Sequence, residues 1–422
     1  MQAPKRNFWA RTLQATLHHP AGACATVALT PGRGAEPGNC TEEITMEYRI
    51  VSADDHIDLQ WLPKDLWQKR VPAQWRERSP RVADTPDGPY WFCGNDRWDP
   101  WGGRKGAAGA MGGRRLALER GGVLEPGVLR PTTTALRLVD MDRDGVDATV
   151  MYGPIVPLLI KDPELRKICY RAYNDWLAEF CATAPVRLVG VGLIPIDDAK
   201  SAAEEVRYLK RIGVRTCMLL AARVETALWE EAWEPLWEAA SDTGIPIGFH
   251  LGGGWRTVAV SGPKATDPGN MGVRVSTSPM KMDEALAAVI FSGALERHRG
   301  LKIVLAETGI GWLPYMLERM DDTYEKFVDA TEFWRVHGGL PLSRPPSDYF
   351  RRQVWATFQT DQVGLRLVDA IGADRIMWAS DYPHADSTWP DSQKAIANSF
   401  GHIDPGTCRR ILCENAKELY GL

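Results

Sequence analysis

Residues 50–59 read IVSADDHIDL, an apolar, β-prone start (Ile50, Val51) that runs into three carboxylates around one histidine. Side chains alternate along a strand, so Asp54 and His56 share one face and Asp55 takes the other. A hard oxygen donor and an imidazole, side by side on a rigid element, begin a site for a divalent cation. The same letters also fit a polar turn leading into a helix. The choice rests on whether other strands bring matching ligands to matching places.

Working outward, regular spacing predicts seven more strands: Ala148–Tyr152, Leu188–Ile194, Thr216–Leu220, Pro246–Leu251, Lys302–Ala306, Gln353–Phe358 and Arg375–Ala379. The first is expected over Tyr48–Asp54. Helical spacing lies between them, at about 133–144, 164–184, 199–212, 226–242, 281–296, 312–328 and 362–370. In the second of these helices Ile168, Ala172, Trp176 and Phe180 mark one face. Two closing helices are expected at about 391–400 and 405–419. The strands are rich in Val, Ile, Leu and Met on both faces, and the spacers are of crossover length, the pattern of parallel βα units. Eight such units point to an α/β fold, a (β/α)8 TIM barrel with loop insertions and extra C-terminal helices. A doubly wound sheet is the runner-up, but no G-x-G-x-x-G follows the first strand.

The insertions fall at about 73–132, 253–280 and 331–350 and are expected to be irregular. The first carries GGRKGAAGAMGGRR (102–115), which follows no strand and lacks phosphate-loop spacing. The folded domain is expected over 46–422. Residues 1–45 hold no acidic residue before Glu36 and little periodicity, and His18, His19 and Pro20 break their apolar stretch. They are read as a disordered extension or an early start, with a transit peptide as the alternative and a poor fit to a signal peptide.

Composition excludes several classes of function. The chain has 422 residues, 44% of them hydrophobic and 25% charged, with a formal net charge of -4. That balance gives no support to nucleic-acid or anionic-membrane binding. The longest apolar runs are of strand length, too short to span a bilayer. Eight cysteines occur singly, with no Cys-x-x-Cys, so free thiols and a reducing, cytoplasmic location are expected. Of 17 tryptophans, Trp91, Trp98, Trp101, Trp255, Trp312 and Trp389 sit near loop starts. They suit either aromatic pocket walls or ordinary packing.

Active-site residues of a barrel sit at the C-terminal ends of its strands. Here those ends read Asp54-Asp55-His56, Tyr152-Gly153, Phe249-His250-Leu251-Gly252, Ala306-Glu307-Thr308-Gly309, Thr360-Asp361 and Ser380-Asp381-Tyr382-Pro383-His384. Three of the eight histidines fall on them. Stability alone would favour Leu or Val there, because each buried polar group needs a partner. Asp54, His56, His250 and Asp381 form a mixed imidazole and carboxylate set for one divalent cation, Zn²⁺ first and Mn²⁺ as the alternative. Taken singly, His250 also reads as a core histidine, Asp381 as a turn or N-cap carboxylate and Glu307 as an ion-pair partner. His384 lies past its strand end.

SADDHIDL, GFHLGGG, ETGIGWLPYMLERMD and WASDYPHADSTWP, in that order, resemble the amidohydrolase-2 branch of the amidohydrolase superfamily. That group contains aminocarboxymuconate-semialdehyde and γ-resorcylate decarboxylases. The resemblance covers about 47–422 and implies a metal-bearing (β/α)8 barrel. It implies the same four ligands: the acid-x-His pair at Asp54 and His56, the strand-five histidine at His250 and the strand-eight aspartate at Asp381. Its decarboxylases carry a catalytic histidine at the end of strand six, where this chain has Glu307. The expected catalytic residues are therefore Asp381, Glu307 and His384, with His384 a candidate for the missing role.

Two reactions follow from the same residues. One is non-oxidative decarboxylation of a small aromatic or unsaturated carboxylate. The other is hydrolysis of an amide, ester or lactone by metal-activated water. A barrel that has lost catalysis would be expected to have damaged ligands, and all four are present. Arg104, Arg114, Arg115 and Arg120 are candidates for a substrate-carboxylate fork, although a solvated basic loop is the plainer reading. A homodimer is expected from the resemblance and the extra C-terminal helices.

Overall fold

Eight apolar runs form one parallel sheet in the computed structural model, which describes residues 46, 48–102, 122, 125, 132–154, 160–250, 268–328, 342–384 and 386–422. The barrel strands are β1 (Val51–His56), β5 (Ala148–Tyr152), β6 (Leu188–Leu193), β7 (Thr216–Leu219), β8 (Ile247–His250), β9 (Ile303–Ala306), β10 (Val354–Phe358) and β11 (Ile376–Trp378). Their order in the sheet is their order in the chain. The seam between first and last is tied by backbone bonds above the strand ends, from Asp381 N to the Asp54 carbonyl (3.0 Å) and from His56 N to the Tyr382 carbonyl (2.7 Å). The expected (β/α)8 barrel is the observed architecture.

Local chemistry sets the helix ends. Asp162 caps Pro163–Ala182 by accepting from Glu164 N and Leu165 N, with Pro163 in the first turn, where no amide hydrogen is needed. Thr133 caps Thr134–Asp144, and Gly145 closes it in the left-handed region at φ 71°. Helix Pro163–Ala182 buries Leu165, Cys169, Tyr173, Trp176, Leu177 and Phe180. Each large apolar side chain buried in this way contributes about 1.5–3 kcal/mol. The close fit uses a glycine in β6: a Cβ on Gly190 would lie 2.5 Å from Leu177 Cγ.

Several expectations are corrected. The first strand runs from Val51 through His56, not Tyr48–Asp54, so both Asp54 and His56 belong to it. The stretch 73–132 is not irregular throughout, because β2 (Pro80–Thr85), β3 (Gly88–Cys93) and β4 (Asp96–Pro100) form an antiparallel three-stranded sheet. Its turns are Pro86-Asp87-Gly88 and Gly94-Asn95, with Gly88 and Gly94 at φ 110° and 56°. The helix expected over 226–242 is confined to Glu234–Thr243, after 3₁₀ turns at Ala221–Arg223 and Glu231–Trp233. The helix over 281–296 breaks at Gly293, and the segment at 331–350 gives way to helix Pro346–Gln353. Within 253–280, Pro268–Thr277 is helical. Residues 1–45, Trp255 and Arg104, Arg114, Arg115 and Arg120 lie outside the described residues.

Four loop-start tryptophans act as packing anchors. Trp91 donates to the Leu59 carbonyl, Trp101 to Leu62, Trp312 to Thr308 and Trp389 to Asp140. The first two fasten the small sheet onto the loop that follows β1. The six cysteines of the described residues are free thiols. No helix among the described residues is long and apolar enough to cross a membrane.

Candidate metal and active site

Strand β1 carries a bulge between Ser52 and Asp55. In a regular strand, residues three apart face opposite sides. The bulge resets that parity, so Ser52 and Asp55 meet on the outer side of the barrel wall, with Ser52 Oγ donating to Asp55 Oδ1 at 2.7 Å. Asp55 also accepts from Thr149 Oγ1, Ser380 Oγ and Tyr382 N, while the buried Arg137 guanidinium lies 3.8 Å away. Arg137 in turn donates to the His56 carbonyl at 2.8 Å. Burial raises the pKa of Asp55, and Arg137 and the hydroxyl donors oppose that rise. Asp55 thus fastens strand ends β1, β5 and β11 together and leaves the inner face to Asp54 and His56.

That inner face gathers the expected ligands. Asp54 Oδ1 lies 3.3 Å from His250 Nε2 and 3.7 Å from His56 Nε2. His56 Nε2 lies 3.0 Å from Asp381 Oδ1. Asp54, His56 and His250 can offer one donor atom each within 4.8 Å of one another, as can His56, Asp381 and His384. His56 is common to both groups. The ring nitrogens of His56 and the oxygens of Asp381 are buried without a well-aligned hydrogen bond, their near polar neighbours being one another and His384 Nδ1, at 3.0 and 2.9 Å from Asp381 Oδ1. Buried polar atoms left this way cost about 1–3 kcal/mol each. A divalent cation removes that cost, and two imidazoles with two carboxylates are a donor set that suits one. The residues present fit the metal.

Glu307 and Asp381 are the non-glycine residues with positive φ among the described residues, at 57° and 63°. Such backbone costs about 1–3 kcal/mol per residue and collects at functional sites. Here it directs two carboxylates into the barrel mouth from the ends of β9 and β11. Glu307 Oε2 comes within 3.7 Å of His250 Nε2, and its side chain stays 23% exposed toward the mouth. Burial, and then the Asp381 charge, raise the Glu307 carboxyl well above the usual range.

His384, expected only loosely from its place past the strand end, is in the site. Its Nδ1 lies 2.9 Å from Asp381 Oδ1 and its Nε2 3.0 Å from Asp58 Oδ2. Its ring stacks on His56 with centroids 3.9 Å apart. Burial works against its charged form, but carboxylates at both nitrogens prevail and hold its pKa well above the ordinary value. His56 goes the other way: burial, then the neighbouring His384 and His250, push its pKa well below ordinary and favour its neutral form. Asp361, at the end of β10, is not part of this cluster. It accepts from Ile310 N and Gly311 N and caps Gln362–Arg366.

Sequence reading missed Asp58 and Thr357. Asp58 follows His56 by two residues and looks like a turn carboxylate until His384 is placed beside it. Thr357 donates to Asp54 Oδ2 at 2.8 Å, and no motif marks it.

Fold and site together define a barrel enzyme whose mouth offers a donor set for one divalent cation. The amidohydrolase family model matches residues 160–422, and the chain belongs to the amidohydrolase family. The matched segment holds His250, Glu307, Asp381 and His384, while Asp54 and His56 precede it. The γ-resorcylate decarboxylase of Polaromonas sp. (strain JS666 / ATCC BAA-500) is 27% identical over 257 residues, 58% of this chain and 74% of that protein. The crystal structure of 5-carboxyvanillate decarboxylase from Sphingomonas paucimobilis superposes with a TM-score of 0.62 at 19% identity, over 89% of this chain and 100% of that one. A dihydroxybenzoic acid decarboxylase from Polaromonas sp. JS666, solved with bound manganese, gives 0.56 at 19% identity over 89% and 98%. At such identity the structural likeness speaks for the fold.

Proposed function

We propose that this chain is a metal-dependent, non-oxidative decarboxylase of a small aromatic or unsaturated carboxylate. The observation that carries it is the pair of buried donor groups that share His56 at the strand ends, Asp54 with His56 and His250, and His56 with Asp381 and His384. Relatives named for the same reaction on γ-resorcylate and 5-carboxyvanillate support the choice of substrate class. A divalent cation held by these four residues would supply Lewis-acid attraction for the substrate carboxylate and an adjacent oxygen. Two solved relatives hold manganese, which supports Mn²⁺, the alternative to Zn²⁺ in the sequence reading.

The chain's own residues do the rest. Asp381 relays a proton from the charged His384 to the ring carbon that bears the substrate carboxylate. The bond to that carboxylate then breaks, its electron pair returns to the ring, and CO2 leaves. Asp381 is then again a carboxylate, and His384, whose Nδ1 faces its Oδ1, is left neutral until it takes a proton from solvent. Asp58 holds the other nitrogen of that imidazole in place.

Glu307 favours a second reading. A carboxyl group stands where the relatives' decarboxylation histidine is expected, and its raised pKa suits a general acid for a leaving amine or alcohol. Hydrolysis of a neutral amide, ester or lactone is therefore the alternative. A screen of aromatic carboxylates, lactones and amides, run with Mn²⁺ and Zn²⁺ enzyme in parallel, separates the two. CO2 release from a carboxylate is the expected result, and acid release without CO2 transfers the proposal to hydrolysis. A cytoplasmic homodimer is proposed as the working form, and light scattering on the purified chain tests the oligomer.

A further inference from the structure

Thr357 lies on β10, fully buried, with its Cα fixed by pairing to Met377 of β11. In the sheet, β11 stands between β10 and β1, so Thr357 reaches Asp54 across the lumen and not along a strand pair. Its Oγ1 lies 2.8 Å from Asp54 Oδ2 and also 2.8 Å from Glu307 N. The directions are forced. An amide nitrogen can only donate, a carboxylate can only accept, and a hydroxyl has one hydrogen to give. Glu307 N–H therefore donates to Thr357 Oγ1, and Thr357 O–H donates to Asp54 Oδ2.

Two consequences follow. Asp54 Oδ2 is occupied, which leaves Oδ1, the atom facing His250 and His56, to meet a cation. Turning the carboxylate would take the acceptor away from a buried hydroxyl. At the other end, the same oxygen holds the amide of Glu307 in its left-handed conformation at φ 57°. A β-branched side chain suits this task, because its torsion is stiff and the hydroxyl stays aimed.

We propose that Thr357 is a positioning residue that sets the single metal-facing oxygen of Asp54 and, through the same hydroxyl, the placement of Glu307. The inference rests on the reading of Asp54 as a metal ligand. Its test is Mn²⁺ titration of metal-stripped protein, by calorimetry and by the electron paramagnetic resonance of free Mn²⁺, for wild type, Thr357→Ser and the near-isosteric Thr357→Val. Thr357→Val is expected to bind Mn²⁺ about tenfold or more weakly, the usual effect of removing a group that orients a ligand. At saturating metal its kcat is expected to stay low, because Glu307 has lost its anchor. Thr357→Ser is expected to restore both. Where the valine variant fails to fold, Thr357→Ala, smaller and also lacking a hydroxyl, takes its place. A folded hydroxyl-free variant that binds Mn²⁺ as tightly as wild type overturns the inference and leaves the metal site standing. Wild type that binds no Mn²⁺ overturns both.

Discussion

Stripping and restoring the metal gives the most direct measure of the site. The four donors Asp54, His56, His250 and Asp381 are each no more than 1% exposed, and they come together only in the folded chain. A cation that binds this arrangement and not the unfolded chain stabilises the fold by about 2.7 kcal/mol at a hundred times its Kd. Unfolding entropy is about 2.1 cal/mol/K per residue, and the folded unit Met46–Leu422 has roughly 380 residues. One kcal/mol then moves Tm by about 1.3 °C, and saturation at a hundred times Kd by about 3 °C. Each further decade of free metal adds about 1.4 kcal/mol, or a little under 2 °C. The assay is calorimetry on chelator-treated protein titrated with Mn²⁺ and then Zn²⁺, with His250→Ala and Asp54→Ala as controls. The wild-type Tm is expected to climb with this slope and the variants to stay flat. Equal shifts in wild type and His250→Ala would place the stabilising metal elsewhere and refute the reasoning.

The other expectations are narrower. Asp381→Asn should abolish turnover, by about a thousandfold or more as for loss of other catalytic groups, with an unchanged circular dichroism spectrum. Asp55→Ala removes the acceptor of three hydroxyls and the charge beside Arg137, and should cost about 3–5 kcal/mol in a denaturant titration. The raised pKa of His384 keeps its ring charged above the ordinary histidine range, so its ion pairs are complete at low pH and are lost as pH rises through that raised value. Asp58→Asn removes one of the two carboxylates responsible. The alkaline limb of a kcat/KM against pH profile should then move to lower pH, and a profile that does not move would separate His384 from the reaction. Gly190→Val should destabilise by about 1–3 kcal/mol through overlap with Leu177, read as a lower midpoint in urea.

Much of this protein is legible in one dimension. Apolar runs of strand length alternate with helical spacers, so the eight barrel strands can be found from local pattern, mostly to within a residue or two. The rule that chemistry gathers at strand ends then selects Asp54, His56, His250, Glu307 and Asp381 without coordinates. The hairpin sheet at Pro80–Pro100 was legible in principle, since Asp87-Gly88 and Gly94-Asn95 are turn signals between alternating residues. Its proline, glycine and tryptophan content hides that alternation.

Tertiary structure alone decided the rest. The bulge in β1 put Ser52 and Asp55 on one side, against the simple alternation of a strand. Asp58 and His384 are 326 residues apart, and Thr357 and Asp54 are 303 apart. Local periodicity tells which face of a strand a side chain occupies, but not which residue waits across the lumen. Closure of the barrel makes that choice. It turned a threonine with no sequence signal into the hydroxyl that faces Asp54.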